Sequence, residues 1–128
     1  NEPKPAYHAV AAANRPVMAS ARIPRFDWAR GAEFSATLFL LNDSPQAVGP
    51  VEFKVRLEGG GTSLVLGGWS CPGTEANTHC RGPVVSGIVP DWTGETFDLV
   101  IEVPGRPDFA SRYTLAFARH RPVRTNSL

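Results

Sequence analysis

The sequence has almost no net charge and no long apolar run. Among its 128 residues, 13 Lys and Arg side chains nearly balance 12 Asp and Glu side chains, which leaves a formal net charge of +1. A dedicated DNA- or RNA-binding domain normally carries a marked excess of basic side chains. The apolar runs are also far shorter than the roughly 20 residues that cross a bilayer. We therefore expect neither a nucleic-acid partner nor a membrane partner.

Groups suited to catalysis are scarce as well. The chain has three histidines, His8, His79 and His120, and no Gly-Xaa-Ser-Xaa-Gly motif. A catalytic nucleophile needs a base and an orienting group close in space, and no spacing in this sequence favours such a set. The glycine run 58–62 (EGGGT) lacks the Lys-Ser/Thr pair of a phosphate-binding loop, so it is predicted to be a hairpin turn. We expect no catalytic residue and no cofactor in this chain.

Alternating apolar and polar residues, in contrast, are abundant and indicate seven β-strands. The clearest run is 51–58 (VEFKVRLE), whose apolar residues share one face while charged residues share the other. Six further runs cover 17–23, 33–42, 62–67, 83–89, 96–103 and 111–119. Gly and Pro, 12 of each, separate these runs, and no helix is predicted between them. This pattern predicts an all-β fold, an immunoglobulin-like antiparallel β-sandwich of about seven strands.

The inward-facing positions of these runs define a predicted core. Phe39 and Leu41 fall on the other face of their strand, where we expect them to cover a short N-terminal helix. The predicted core consists of Val17, Ala19, Phe34, Ala36, Leu38, Leu40, Phe53, Val55, Leu57, Leu99, Ile101, Tyr113, Leu115 and Phe117.

That helix is predicted at 4–14. Pro5 suits the first helical position, several alanines follow, and Tyr7 and Val10 lie on one apolar face. A helix of this length is marginal in isolation, so Tyr7 and Val10 are expected to dock on another part of the protein. The chain then divides into a linker helix from an absent catalytic domain at 1–15, the sandwich at 16–119 and a flexible tail at 120–128.

Both cysteines lie in the segment 69–81 (WSCPGTEANTHCR), which is predicted to be one long loop. Three states are open for Cys71 and Cys80: a disulfide, two free thiols, or a metal site completed by His79 and Glu75. The spacing matches no common zinc pattern, so we expect no metal. A disulfide would stiffen the loop and would indicate a secreted or periplasmic protein.

Three tryptophans near predicted loops or strand ends are candidate sugar-binding residues. Trp28, Trp69 and Trp92 offer flat rings that could stack on a pyranose face, and Trp92 in 90–94 (PDWTG) is the best candidate for exposure. The alternative is that these rings fill the ends of the sandwich or face a neighbouring domain, because aromatic side chains dominate core and interface burial.

The first half of the chain resembles a known family. Residues 4–10 (KPAYHAV) and 15–17 (RPV) resemble the segment of family 2 glycoside hydrolases that ends the catalytic barrel region and opens a β-sandwich. Residues 31–36 (GAEFSA) and 40–44 (LLNDS) resemble the C-terminal immunoglobulin-like domains of β-mannosidase and β-galactosidase relatives. The resemblance does not extend to the catalytic glutamates, because those lie in the barrel of that family.

The resemblance implies a non-catalytic accessory domain of a β-glycosidase, a hydrolase of carbohydrate metabolism. Its partners would be the catalytic barrel and the other domains of the parent protein, and it would pack on the barrel and edge the cleft. Two alternatives stay open. One is a carbohydrate-binding module that uses exposed tryptophans, and the other is a cell-surface adhesion or scaffold domain, which needs a self-complementary patch or a free edge strand.

Overall fold

The computed structural model describes residues 15–118, which form eight β-strands and one 3-10 helix, Pro107–Phe109. The helix predicted at 4–14, with Tyr7 and Val10, and the predicted tail at 120–128 lie outside the described residues. No helix in the described part is long and apolar enough to cross a membrane. The strands are β1 (Val17–Arg22), β2 (Asp27–Trp28), β3 (Glu33–Asn42), β4 (Val51–Gly59), β5 (Thr62–Cys71), β6 (Thr78–Ile88), β7 (Thr96–Glu102) and β8 (Ser111–Phe117).

The strands form two sheets, so the all-β prediction is confirmed. One sheet has three strands in the order β1-β3-β6, and the other has five in the order β2-β8-β7-β4-β5. Every pairing is antiparallel except that of the two-residue β2 with β8, which is parallel. The chain passes from the first sheet to the second between β1 and β2. This short strand was not predicted, because two residues are too few to show an alternating pattern.

A single hydrophobic core lies between the two sheets. The predicted inward residues are buried as expected, except Val17, which is half-buried and packs against the core. Alternation along β3 explains this success, since its even-numbered residues from Phe34 to Asn42 are buried and its odd-numbered ones are not. Phe39 and Leu41 therefore lie on the outer face of the three-stranded sheet, as predicted, and both are half-buried.

The prediction of one long loop at 69–81 is wrong. β5 continues to Cys71 and β6 begins at Thr78, so only residues 72–77 connect the two strands. The strand predicted at 62–67 is therefore longer, and the one predicted at 83–89 begins earlier. The full lengths of these strands were not predicted because they contain glycines at 67, 68 and 82 and a proline at 83, and both residue types are normally rare inside strands.

A β-bulge accommodates these residues in each strand. In β5 the register against β4 shifts between the Val55–Gly67 and Arg56–Val65 pairs, which makes Leu66 the extra residue. In β6 the register against β3 shifts as well, and Gly82 and Pro83 both lie opposite the single residue Leu38. Pro83 is tolerated at this point because a bulge leaves one residue out of the hydrogen-bond ladder.

A buried asparagine fixes the connection between β5 and β6. The Asn42 side chain, 0% exposed, places its Nδ2 atom 3.0 Å from Thr74 Oγ1 and 3.1 Å from the Glu75 carbonyl oxygen. The same Nδ2 donates to the Gln46 carbonyl at 2.8 Å, and Oδ1 accepts from the Ser44 hydroxyl at 2.7 Å. Asn42 thereby ties the segment after β3 to the segment after β5, a role that no pattern in the sequence indicated.

Side chains bridge the two sheets on the β1–β8 side. The Ser111 hydroxyl donates to the Ala19 carbonyl at 2.6 Å, and the Ala21 amide donates to the Tyr113 hydroxyl at 3.3 Å. The Arg15 guanidinium donates to Ser111 Oγ at 2.8 Å and so anchors the start of the described chain on the same side. Polar side chains therefore join the two sheets on this side, and the opposite side is formed by β5 and β6.

Candidate functional site at the β5–β6 edge

The two strands β5 and β6 follow each other in the chain but belong to different sheets. β5 is the last strand of the five-stranded sheet and β6 is the last strand of the three-stranded sheet. Within residues 15–118, no further strand pairs with the outer side of either one. Both sheets thus end at one side of the molecule in a strand with free backbone hydrogen-bonding groups. We call this surface the β5–β6 edge.

Inside this edge, large side chains of β5 lie against glycines of β6. A Cβ atom at Gly82 would lie 2.7 Å from the Trp69 ring, and one at Gly87 would lie 2.7 Å from the Leu66 side chain. Both distances are shorter than van der Waals contact allows. A side chain at Gly82 would therefore displace the rigid Trp69 ring, and one at Gly87 would require the flexible end of Leu66 to move. The ring of Trp69 also meets Phe53 of the core edge-on, with centroids 4.9 Å apart. The two strands are therefore packed closely although no ladder joins them.

Large aliphatic side chains are exposed on both strands of this edge. Val65 on β5 is 75% exposed, and Val84 and Ile88 on β6 are 59% and 57% exposed. Val65 lies on the outer face of the five-stranded sheet, whereas Val84 and Ile88 lie on the outer face of the three-stranded sheet. Within the described part of the chain, one further large apolar side chain is exposed, Phe26, next to β2 at the opposite end of the five-stranded sheet. The two unpaired strands, with Val84 and Ile88 exposed on one of them, mark the β5–β6 edge as a candidate contact surface.

The neighbouring outer face of the five-stranded sheet is charged and internally paired. The Arg56 guanidinium lies 2.7 Å from Glu58 and 3.0 Å from Glu102. Arg112, from β8, pairs with Glu58 at 3.1 Å and with Asp98 at 2.5 Å. We call these five side chains the charge ladder. Each of these five side chains therefore has at least one oppositely charged partner on this face.

The ion pairs also shift the pKa values of three side chains in the ladder, Glu58, Arg56 and Arg112. The hydrogen bond from Arg56 holds the pKa of Glu58 below its ordinary value of 4.5. In turn, the hydrogen bond to Glu58 raises the pKa of Arg56, and the one to Asp98 raises the pKa of Arg112. All these shifts favour the charged forms, as expected of ion pairs in which both partners stay ionised.

The three predicted sugar-binding tryptophans lie in different places. Trp28 is only 4% exposed, its ring packs on Phe34 with centroids 4.6 Å apart, and its indole N–H donates to the Arg25 carbonyl. A buried ring of this kind cannot present its face to a sugar in solution. For Trp28 the alternative interpretation, a ring that fills the sandwich, agrees with its burial.

Trp69 and Trp92 are both half-buried. Trp69 lies inside the β5–β6 edge, whereas Trp92 covers the turn after β4, where a Cβ atom at Gly59 would lie 2.6 Å from its ring. The loop of Trp92 is held by Arg30, which donates to the Trp92 and Gly94 carbonyls at 2.9 and 2.7 Å. Among the described residues, no ring contact joins any two tryptophans, and so they do not form one flat platform.

The two cysteines lie together at one end of the same edge. Cys71 ends β5 and is buried, Cys80 lies near the start of β6 and is half-buried, and their sulfur atoms are 4.2 Å apart. Both are free thiols, so the predicted disulfide is not formed in this structure. His79 points its Nε2 to Asp43 Oδ1 at 3.2 Å, and no group of metal-binding side chains occurs in the described residues.

Sequence reasoning missed the exposed aliphatic residues of this edge. The available signal was the run 64–66 (LVL) and the pair Val84–Val85, in which apolar residues occupy both faces of a strand. Such a run usually indicates a central strand that is buried on both sides. In the edge strands β5 and β6, such a run has one apolar residue that faces the core, as Val85 does, and a neighbour that faces solvent, as Val84 does.

No protein-family model and no curated protein matches the chain. Among solved structures, it is similar to Spo0M, a sporulation control protein from Bacillus subtilis, with a TM-score of 0.51 and 7% identity over 83% of this chain and 51% of that chain. It is also similar to the Pseudomonas fluorescens alkylpurine DNA glycosylase AlkC, solved with DNA that contains an abasic-site analogue. Here the TM-score is 0.54 and the identity 10%, over 88% of this chain and 33% of that chain.

At these identities the likeness concerns the fold alone. The chain spans about half of the Spo0M chain and a third of the AlkC chain that it matches. The comparisons thus identify a β fold that also occurs as one part of longer chains, and they assign no activity to it.

Proposed function

We propose that residues 15–118 form an immunoglobulin-like domain. The strand order supports this, because β1, β3 and β6 correspond to strands A, B and E of that fold, and β4, β7 and β8 to strands C, F and G. β5 then takes the position of the additional strand C′, beside strand C. Cys71 and Cys80 do not occupy the positions of the inter-sheet disulfide of antibody domains, which joins strands B and F.

We propose further that this domain is a non-catalytic accessory domain that packs on another domain of a longer protein. The observation behind this proposal is the β5–β6 edge, where two unpaired strands lie side by side and one of them exposes Val84 and Ile88. Unpaired edge strands are surfaces on which another chain can pair. Both similar structures place a comparable fold in a longer chain, which supports a neighbouring domain as the occupant of the edge.

The resemblance of the first half of the chain to family 2 glycoside hydrolases names a candidate for that neighbour. In this proposal the edge contacts the catalytic barrel of a parent β-glycosidase, and the domain itself takes no part in bond cleavage. A secreted or periplasmic parent is proposed on the condition that Cys71 and Cys80 are joined in the cell. The domain-docking role of Tyr7 and Val10 stays a prediction, since both lie outside the described residues.

Amide hydrogen exchange tests the proposed contact. The backbone amides on the free sides of β5 and β6 are to be compared in the full-length protein and in the 128-residue chain. If the edge is covered, its amides should exchange at least about tenfold more slowly in the full-length protein. The double variant Val84→Asp with Ile88→Asp should remove this difference, because burying two carboxylates opposes docking.

A matched control is Ala29→Asp, which places the same carboxylate on an exposed residue after β2, at the other end of the five-stranded sheet. This variant should leave the protection of β5 and β6 unchanged. Equal exchange rates in the long and the short chain would refute the proposal. Protection that appears in the short chain and grows with concentration would favour the scaffold alternative, in which two copies pair through the edge.

A further inference from the structure

Two thiols lie where the chain passes from the five-stranded sheet to the three-stranded sheet, between β5 and β6. Cys71 ends a strand of the five-stranded sheet, Cys80 belongs to the three-stranded sheet, and their sulfur atoms are 4.2 Å apart. A disulfide needs the sulfurs to approach to about 2.05 Å, which small side-chain rotations can supply when the two backbones already lie close. A bond between these thiols would join the two sheets covalently at the β5–β6 edge, where no hydrogen-bond ladder connects them.

The backbone that carries the two thiols is already held in place without the bond. Val48 and Thr74 exchange two backbone hydrogen bonds, at 2.8 and 2.9 Å, and Asn42 binds the connection from within. Gly73 adopts a φ of 98° and passes so close to Val48 and Gly49 that no side chain fits there. Since these contacts order residues 72–77, bond formation costs little additional conformational entropy.

The two thiols differ in their access to solvent. Cys71 is only 1% exposed, whereas Cys80 is half-buried and lines a surface groove together with Thr78, His79 and Arg81. A reagent in solution therefore reaches Cys80 first. Burial raises the pKa of Cys71 to about 11, so its side chain is a neutral thiol at neutral pH. The Gly73 amide donates a hydrogen bond to the Cys71 sulfur.

We propose that Cys71 and Cys80 are a redox-active pair in which Cys80 is the attacking thiol and Cys71 the resolving thiol. With a small disulfide such as oxidised glutathione, the Cys80 thiolate forms a mixed disulfide and releases one glutathione. Cys71 then loses its proton, attacks the Cys80 sulfur and releases the second glutathione. Two protein thiols are oxidised to one disulfide, and one glutathione disulfide is reduced to two thiols. This inference does not depend on the proposed function.

The test uses the 128-residue chain, whose described part has its own core, equilibrated with oxidised glutathione and then denatured and alkylated with N-ethylmaleimide. The reduced protein should take up two alkyl groups. The oxidised protein should take up none, stay monomeric, and melt about 5–15 °C higher, because the closed loop restricts the unfolded chain. Wild-type protein that still binds two alkyl groups, or that forms disulfide-linked dimers, would overturn the proposal.

Single variants test the order of the two steps. Cys71→Ser should stop at the first step and retain one glutathione on Cys80, which dithiothreitol removes. Cys80→Ser should leave the buried Cys71 unmodified in the folded protein. The opposite result, an adduct in Cys80→Ser and none in Cys71→Ser, would refute the assigned roles. Should Cys71→Ser fail to fold, Cys71→Ala provides the same test without a buried hydroxyl.

Discussion

The indole ring of Trp69 lies directly on the backbone of Gly82, across the gap between the two sheets. A Cβ atom at Gly82 would come within 2.7 Å of that ring. This contact closes the molecule at the side where neither sheet continues. At this point the close approach of β5 and β6 depends on the absence of a side chain at Gly82.

We expect Gly82→Ala to destabilise the domain by about 1–3 kcal/mol, because the added methyl group forces the Trp69 ring to move. Urea unfolding followed by tryptophan fluorescence measures this effect. Gly49→Ala is the matched control, since nothing lies within 4 Å of its Cβ position and its φ is not positive. That control should change stability by less than about 0.5 kcal/mol, and equal effects of the two substitutions would contradict the contact.

Leu38 lies at the centre of the core and is fully buried opposite the β6 bulge. Leu38→Ala should cost about 2–5 kcal/mol, since it removes apolar contacts and leaves a cavity. The measurement is the free energy of unfolding in urea. Ser86→Ala, an exposed position on the neighbouring strand, serves as control. A loss below about 0.5 kcal/mol for Leu38→Ala would be typical of a surface position and would exclude Leu38 from the core.

Asn42→Leu should be strongly destabilising although it keeps the volume of the side chain. The substitution removes the hydrogen bonds from the Asn42 amide to the Gln46 and Glu75 carbonyls, and each such bond contributes about 0.5–1.5 kcal/mol net. Thermal unfolding compares this variant with Gln46→Ala, whose exposed side chain does not take part in the Gln46 carbonyl contact. Near-equal melting temperatures of the two variants would show that the contacts of Asn42 with the segments after β3 and β5 do not stabilise the fold.

Stability should fall at acid pH through the charge ladder. The hydrogen bond from Arg56 lowers the pKa of Glu58 from 4.5 in the folded protein. Glu58 therefore stabilises the fold above that value, and the contribution is lost as the pH falls through the lowered folded-state pKa. The urea midpoint, measured from about pH 6 to about pH 3, should fall less steeply in Glu58→Gln than in wild type. Glu33→Gln, outside the ladder, should keep the wild-type slope.

The sugar-binding alternative predicts a saturable site at the tryptophans. A titration of the isotope-labelled chain with mannose, galactose and short β-linked mannans, followed by NMR, tests it directly. We expect no saturable shift at sugar concentrations of about a millimolar, the weak end of measurable affinity. Shifts that cluster around Trp69 or Trp92 and vanish in Trp92→Ala would instead establish a carbohydrate-binding module.

Most of the strands could be predicted because their burial follows a period of two. The alternation of apolar and polar residues in β3 and β4 matches the alternation of buried and more exposed residues almost throughout. Each of these strands has one face toward the core and one face away from it. β5 and β6 were harder to predict. Their glycines and Pro83 indicate turns by local propensity, and only the tertiary packing of Trp69 and Leu66 shows why glycine occupies these positions.

The candidate site was less predictable than the fold. A bond between Cys71 and Cys80 was among the predicted states, but both were expected in one loop, whereas they lie on β5 and β6 in different sheets. Trp28 was expected near a predicted loop or strand end, yet it belongs to the short β2 and is buried in the core. Burial of an isolated aromatic residue depends on tertiary partners such as the Phe34 ring of β3, and local propensity does not show which partners these are.

The parallel pairing of β2 with β8 has a mechanical consequence. The Phe26 and Trp28 carbonyls accept hydrogen bonds from the Ala116 and Ala118 amides. Because the two strands run in the same direction, tension that reaches β2 from its N-terminal end and β8 from its C-terminal end pulls the strands past each other. Under this shearing load both bonds must break together, whereas an antiparallel pair pulled from one end opens one bond at a time. Since β1 precedes β2 in the chain, such a load reaches β2 only after β1 has separated from β3, and the two β2–β8 hydrogen bonds then resist it together.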